Sequence, residues 1–325
     1  MTDDTTEHPP LQLPARSIPV PRSVSPEAQA FLATARGLEI ADYPPADDID
    51  GWEQLKANAE DQMRAAFKAL SVGVEATVEE TDVAGVAVCV ITPAGLAPGR
   101  ERRVLLEFHG GGLVLGGVER AHVMGVMAAG QARAITWSVA YRTPPLHPYP
   151  AALDDAMTVY RSLLEDHGPE DIIVSGGSGG GNLAAALVLR ARDEGLPLPA
   201  ALVLKSPEVD LTESGDSFQL NLGVDNVLGN LAPLNELYAN GHDMTDPYLS
   251  PLFGDLEGFP PTYLQTGTRD LFLSNTVRMH RKLLAAGVEV ELHVFEAMPH
   301  RGFRQSPEDA ELDATVRAFL DAHWN

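Results

Sequence analysis

The stretch that most constrains this 325-residue chain runs from Asp171 to Leu189, DIIVSGGSGGGNLAAALVL. An apolar, β-branched run gives way to residues 176–181, none with a side chain larger than a hydroxymethyl group, and then to an alanine- and leucine-rich run of helical texture. Glycine is used where the backbone takes angles closed to other residues or where a second backbone passes close by. The stretch therefore predicts a strand, a very tight turn at Ser178, and a helix over 179–194. A strand that hands over directly to a helix needs a parallel neighbour, because the helix carries the chain back across the sheet.

The same alternation fills most of the sequence. Short apolar runs predict strands near 73–80, 84–92, 103–108, 134–141, 171–175, 200–205, 261–267 and 288–295, and helices near 120–132, 150–166, 179–194, 274–287 and 307–323. Runs such as RVLLEF, DIIVSG and AALVLKS are apolar throughout, as in strands covered on both faces. The expectation is an α/β fold with a mostly parallel eight-stranded sheet and helices on both sides. Residues 1–72 read as a flexible arm, broken by five prolines up to residue 24, followed by two helices. Ser25 and Pro26 open the first helix with Gly37 as its stop, and the second covers 50–70. Residues 73–206 and 246–325 would be the two parts of the sheet domain. Between them, 207–245 is an excursion around the weak helix APLNELYAN.

Charge and cysteine content narrow the partners. Forty-six acidic residues against 23 lysines and arginines give a formal charge of −23, a field that repels nucleic acid and anionic membranes. Cys89 is the only cysteine, which excludes an intrachain disulfide and a cysteine-held zinc. The acidic, proline-broken amino terminus has no apolar signal core, and nowhere do 18 apolar residues run together. A cytoplasmic protein without membrane, nucleic-acid, metal or organic-cofactor partners is expected. The sequence does not decide between a monomer and a homodimer.

Within the predicted strand, turn and helix, Gly176–Gly180 matches G-x-S-x-G, the setting in which a serine is held exposed as a nucleophile. A phosphate loop would require a lysine after its glycines, and a dinucleotide site would require G-x-G-x-x-G near the first strand; neither is present. A second cluster, FHGGGLVLGG, follows the strand ending at Phe108, where backbone N–H groups can gather around a developing oxyanion. A nucleophilic serine needs a base and a carboxylate to orient it, and in such sheets these follow in the order Ser, Asp, His. Asp270, in TRDLFL, and His300, at the end of VELHVFEAMPH, both lie just past strand ends, where open parallel sheets place their sites. His109 reads as a loop-shaping hydrogen-bond partner. His147, His280 and His293 read as structural or surface residues.

With these residues in hand, the chain resembles the hormone-sensitive-lipase family of α/β-hydrolase esterases. The likeness runs through IPVPRSVSPEAQAFLA, HGGG, YRTPPLHPYPAALDDA, SPEVDLTESGDS, DPYLSPL and AGVEVELHVFEAMPH. It implies a catalytic triad of Ser178, Asp270 and His300, with oxyanion donors on the N–H groups of Gly111, Gly112 and Gly179. It also implies a cap built from the amino-terminal helices and 207–245, and a small to medium acyl ester as substrate. Lactone or amide hydrolysis and acyl transfer use the same triad. A non-catalytic ligand-binding member of the fold would dispense with the histidine, so His300 argues for an enzyme. The departures are Gly177 for the usual acid, Gly179 for the usual alanine, Ala140 and Leu146 for two further carboxylates, Ser274 and Asn275 near the usual second acid, and Arg301 where glycine is common. Arg142 must then find a new partner or stay solvated. Gly179 is expected to hold its amide more loosely than alanine would, so that Gly179→Ala keeps or raises turnover.

Overall fold

A computed structural model describes residues 10–34, 43–70 and 73–324, with side chains given except at 63 and 65–70. Gly37, the expected stop of the first helix, lies outside them, as do residues 1–9 of the arm. The strands are β1 (Ala76–Val83), β2 (Val86–Pro93), β3 (Val104–Phe108), β4 (Ile135–Val139), β5 (Ile172–Gly177), β6 (Ala201–Lys205), β7 (Thr262–Gly267) and β8 (Val290–Phe295). The helices are α1 (Pro26–Thr34), α2 (Ile49–Leu70), α3 (Val118–Ala132), α4 (Ala151–Asp166), α5 (Gly179–Asp193), α6 (Ser217–Leu220), α7 (Ala232–Ala239), α8 (Leu273–Ala285) and α9 (Pro307–His323). Every expected strand is present. The four-residue α6 is an addition, too short to show a helical period in the sequence.

The eight strands form one sheet in the order β1-β2-β4-β3-β5-β6-β7-β8. The β1–β2 hairpin and the β2–β4 pair are antiparallel, and all other pairs are parallel. Successive side chains of a strand point to opposite faces, and the apolar runs supply both. Leu106, Val174, Leu204 and Leu264 face α4, α5 and α8 in one core, with Leu153, Leu187 and Leu283. Leu105, Ile173, Val203 and Tyr263 face α3 and α9 in the other, with Ala128, Phe319 and Leu320. Each fully buried leucine or isoleucine stabilises by about 1.5–3 kcal/mol. The central strands are thus clamped from both sides, and their carboxyl ends are fixed relative to one another.

The remaining helices lie over that edge. Trp52 of α2 meets Leu234 and Leu237 of α7 and Val114 of the loop after β3 in one small apolar cluster. Ala28 and Leu32 of α1 pack with Phe295, Met298 and Phe303, on either side of His300 in sequence. Residues 10–24 form no helix or strand, yet the end of the arm is tied down: Val24 is buried, and Arg269 donates to the Pro19 carbonyl at 2.9 Å. Ser25 donates from its N–H (2.6 Å) and hydroxyl (2.7 Å) to the carboxylate of Glu308. No helix of the described residues is long and apolar enough to cross a membrane.

Candidate active site

Ser178 joins β5 to α5 at φ 58° and ψ −130°, a left-handed position that costs a residue with a Cβ on the order of 1–3 kcal/mol. Neighbouring backbone over-determines it. The Ser178 N–H donates to the Lys205 carbonyl at 3.0 Å, and its carbonyl accepts from Gly181 at 2.9 Å and Glu208 at 3.1 Å. The glycine run now has a cause. A Cβ on Gly176 would fall 2.1 Å from the Gly180 carbonyl oxygen, and one on Gly180 would fall 2.0 Å from that of Phe108. These two positions require glycine because the turn closes on itself and on the end of β3. Gly177 does not, since its Cβ would meet nothing closer than 3.4 Å.

The loop after β3 lies against this turn. Gly111 (φ 147°) curls under the Leu115 carbonyl, 2.4 Å from where its Cβ would be, and Gly112 (φ 58°) lies under the side chain of Leu234. Val114 and Leu115 both donate to the Gly111 carbonyl, closing a single turn. His109 is fully buried, stacks on Tyr141 with ring centroids 4.2 Å apart, and contacts the Gly110 carbonyl through Nδ1 at 3.1 Å. The Tyr141 hydroxyl donates to the His109 carbonyl at 2.7 Å. Burial, then the Arg120 charge, pushes His109 down to about 3, so this ring stays neutral and holds the loop. A Cβ on Gly179 would lie 2.7 Å from the Leu113 nitrogen, so the two glycine clusters are in contact. Among the described residues, the N–H groups of Gly111, Gly112 and Gly179 have no protein acceptor.

Asp270 and His300 come together from the ends of β7 and β8. Asp270 Oδ1 lies 3.2 Å from His300 Nδ1 and accepts from the Phe272 N–H at 2.9 Å, while Oδ2 accepts from the Thr266 hydroxyl at 3.0 Å. Burial opposes the Asp270 charge, but His300, the Ser206 hydroxyl and the Phe272 N–H together hold its pKa below the ordinary value. The His300 ring stands edge-on to Phe272 at 5.2 Å. Gly267 passes so close to the Met298 carbonyl that a Cβ would sit 2.0 Å from its oxygen, which fixes the His300 loop on the end of β7. No hydrogen bond of the described residues joins the Ser178 hydroxyl to His300. Such links are commonly long in unliganded sites and tighten with substrate.

Arg142 is re-paired, forking onto the buried Asp155 with Nη2 at 2.6 Å and Nε at 3.0 Å, while its backbone N–H donates to the same carboxylate. Two buried carboxylates escape a motif reading. Asp225, in the excursion, accepts from the N–H groups of Leu271 (2.9 Å) and Val227 (2.8 Å) and so fixes the backbone beside Asp270. Glu208 follows Ser206 and Pro207 into the core, and neither of its carboxylate oxygens has a well-formed hydrogen bond. Asp225 stands in the weakly patterned excursion, and Glu208 in the SPEVDLTESGDS stretch, where nothing in the spacing marks its burial.

Comparison with known proteins bears on the fold and on the class of activity. Residues 105–304 match the family described as the α/β hydrolase fold. An esterase from Acinetobacter venetianus is 34% identical over 60% of this chain, and the match spans 66% of that protein, just under two thirds of its length. The crystal structure of an esterase named E25 superposes with a TM-score of 0.89 at 37% identity, covering 97% of this chain and 99% of the other. An esterase described as from the bacterial hormone-sensitive lipase family covers 93% of this chain and 99% of its own at 29% identity and a TM-score of 0.76. With a strained serine at the β5–α5 turn and these relatives along nearly its whole length, the chain belongs to the α/β-hydrolase family, among the esterases of the hormone-sensitive-lipase type.

Proposed function

We propose that the chain hydrolyses carboxylic esters of small to medium acyl groups through Ser178, His300 and Asp270. The buried Asp270–His300 contact carries this reading, because a protein that only bound a ligand would have no use for an imidazole oriented by a buried carboxylate. A proton on His300 Nδ1 faces Asp270, which leaves Nε2 as the base. Nε2 takes the Ser178 proton as Oγ attacks the ester carbonyl carbon. The oxyanion that forms is received by the N–H groups of Gly111, Gly112 and Gly179, fixed donors that need no reorganisation as charge develops. Collapse breaks the bond to the alcohol, which leaves with the proton from Nε2. Water then attacks the acyl-enzyme by the same relay, releasing the acid and restoring Ser178.

The test is covalent. A fluorophosphonate should label one residue of the wild-type chain, Ser178, and Ser178→Ala should lose both the label and the turnover of p-nitrophenyl acetate while unfolding as cooperatively as the wild type. A label on another serine, or turnover surviving in clean Ser178→Ala, would move the nucleophile elsewhere.

A further inference from the structure

Arg301, the residue after His300, sits at φ 73°, an angle that side-chain-bearing residues rarely adopt. Its loop is pinned. Asp309, which reciprocates the cap from Ser306, also accepts from the Phe303 N–H at 3.0 Å, and Gly302 passes so near that a Cβ would fall 2.1 Å from Asp309 Oδ1. So fixed, Arg301 reaches toward the candidate nucleophile. One of its terminal nitrogens lies 3.6 Å from the point where a Gly110 Cβ would stand, and the Ser178 Cβ lies 3.2 Å from the same point.

The surroundings leave this guanidinium without a counter-charge of its own. Glu60 is committed to Arg120, which is buried and donates to Glu60 Oε1 from Nε (2.9 Å) and Nη2 (2.8 Å) and to the Gly110 carbonyl from Nη1 (3.3 Å). Arg304 stands over the Phe31 ring at 5.9 Å. Arg301 itself reaches solvent, yet no ion pair or hydrogen bond holds its head group among the described residues. Crowding by protein lowers its pKa to about 10, and Arg120 and Arg304 push the same way against Glu60. A chain of formal charge −23 thus keeps a cationic corner beside its candidate nucleophile. A planar guanidinium fork matches a carboxylate, and such charge-assisted pairs are the strong ones.

We propose that Arg301 recognises a carboxylate carried by the ester substrate, so that the site selects anionic esters over neutral ones. This rests on the esterase reading. The carboxylate can belong to the acyl half or to the alcohol half, and two substrate pairs distinguish them: p-nitrophenyl hemisuccinate against p-nitrophenyl butyrate, and 4-acetoxybenzoate against phenyl acetate. In the wild type, kcat/KM for the charged member of one pair should exceed that for its neutral partner. Arg301→Gln should lower that ratio by about tenfold or more, mainly through KM, and Arg301→Lys should restore part of it. Added salt should shrink the wild-type ratio. A merely structural role would move both members together and leave the ratio unchanged, which would overturn the proposal. So would a wild type that favours the neutral member of both pairs.

Binding is read separately, as the rise in melting temperature that succinate gives the full chain over chloride of equal ionic strength. The wild type should shift and Arg301→Gln should not. Succinate binding through Arg301 without hydrolysis of any ester would keep the anion site and overturn the esterase reading. Hydrolysis of p-nitrophenyl butyrate with no charge preference and no succinate shift would do the reverse.

Discussion

The Cβ that an alanine would add at position 179 falls 2.7 Å from the backbone nitrogen of Leu113. The sequence-based expectation for this position is reversed. Glycine is not there as a loose substitute for alanine; it lets the loop after β3 approach the turn after β5. Its neighbour is backbone, which cannot swing aside as a side chain could.

Gly179→Ala should therefore push the proposed oxyanion donors apart. We expect kcat to fall by roughly 10- to 100-fold for acetate and butyrate esters alike, with about 1–3 kcal/mol lost from stability. Steady-state kinetics and urea melts measure both. Unchanged kcat with unchanged stability would mean that the two loops separate at no cost.

Asp270→Asn should lower kcat by about three to four orders of magnitude, because an amide there favours the wrong imidazole tautomer. His300→Ala should cost nearly as much as Ser178→Ala, and the double mutant His300→Ala with Ser178→Ala should be no worse than the worse single. Additive losses would show that the residues act independently. A silent Asp270→Asn would hand the orienting role to another carboxylate.

Glu208 should give the chain a pH dependence whose sign follows from its burial. Burial, then the Glu213 charge, pushes its pKa up to about 8, with Asn235 giving partial relief. The folded chain thus keeps a proton that the unfolded chain, with a glutamate pKa of about 4.3, gives up. Across roughly pH 4 to 8 the folded state binds more protons, so stability declines as pH rises through that window. Glu208→Gln should remove its part of the decline, raising the melting temperature at pH 8 and giving no gain near pH 4. Glu213, raised to about 7 by burial and then by Asp210 and Glu236, should leave a remaining slope of the same sign. A difference between Glu208→Gln and wild type that stays constant from pH 5 to 8 would count against a buried neutral acid.

Removal of residues 1–16 should leave melting temperature and kcat near wild type, since this segment precedes the Pro19 and Ser25 contacts. Removal through Thr34 should lower both, because α1 covers Met298 and Phe303 on the two flanks of His300. Thermal melts and p-nitrophenyl ester assays of the two truncations decide it. Equal behaviour would show that α1 does not support the His300 loop.

The sheet was legible because its strands are apolar on both faces, so that Leu105 and Leu106, or Ile173 and Val174, announce two cores at once. The turn at Ser178 was legible because a strand, a run of glycines and a helix follow one another directly, and Gly176 answers to crowding within the turn itself. Asp270 and His300 were legible because each stands one short loop past a strand. What the sequence hid depends on contacts between distant segments. Gly267 is required by the Met298 carbonyl, Asp225 fixes the Leu271 backbone from an excursion of weak pattern, and Glu60 on α2 neutralises Arg120 on α3. None of these pairs leaves a trace in spacing. The reading of Gly179 failed for the same reason, since Leu113 presses on it across the sheet edge.

The order in which the site residues occur along the chain bears on how the protein is made. Ser178 sits on β5 and α5, which a ribosome completes while β7 and β8 are still unsynthesised. The emerging strand–turn–helix thus carries a serine with no partner to draw off its proton. Asp270 and His300 arrive with the last third of the polypeptide, and the Ser25 hook must wait longer still, for Glu308 on the final helix. On the proposed mechanism, nascent chains that lack β7 and β8 should be chemically silent toward esters. The onset of fluorophosphonate reactivity becomes a clock for the closing step of folding, when the two ends of the polypeptide meet beside the histidine.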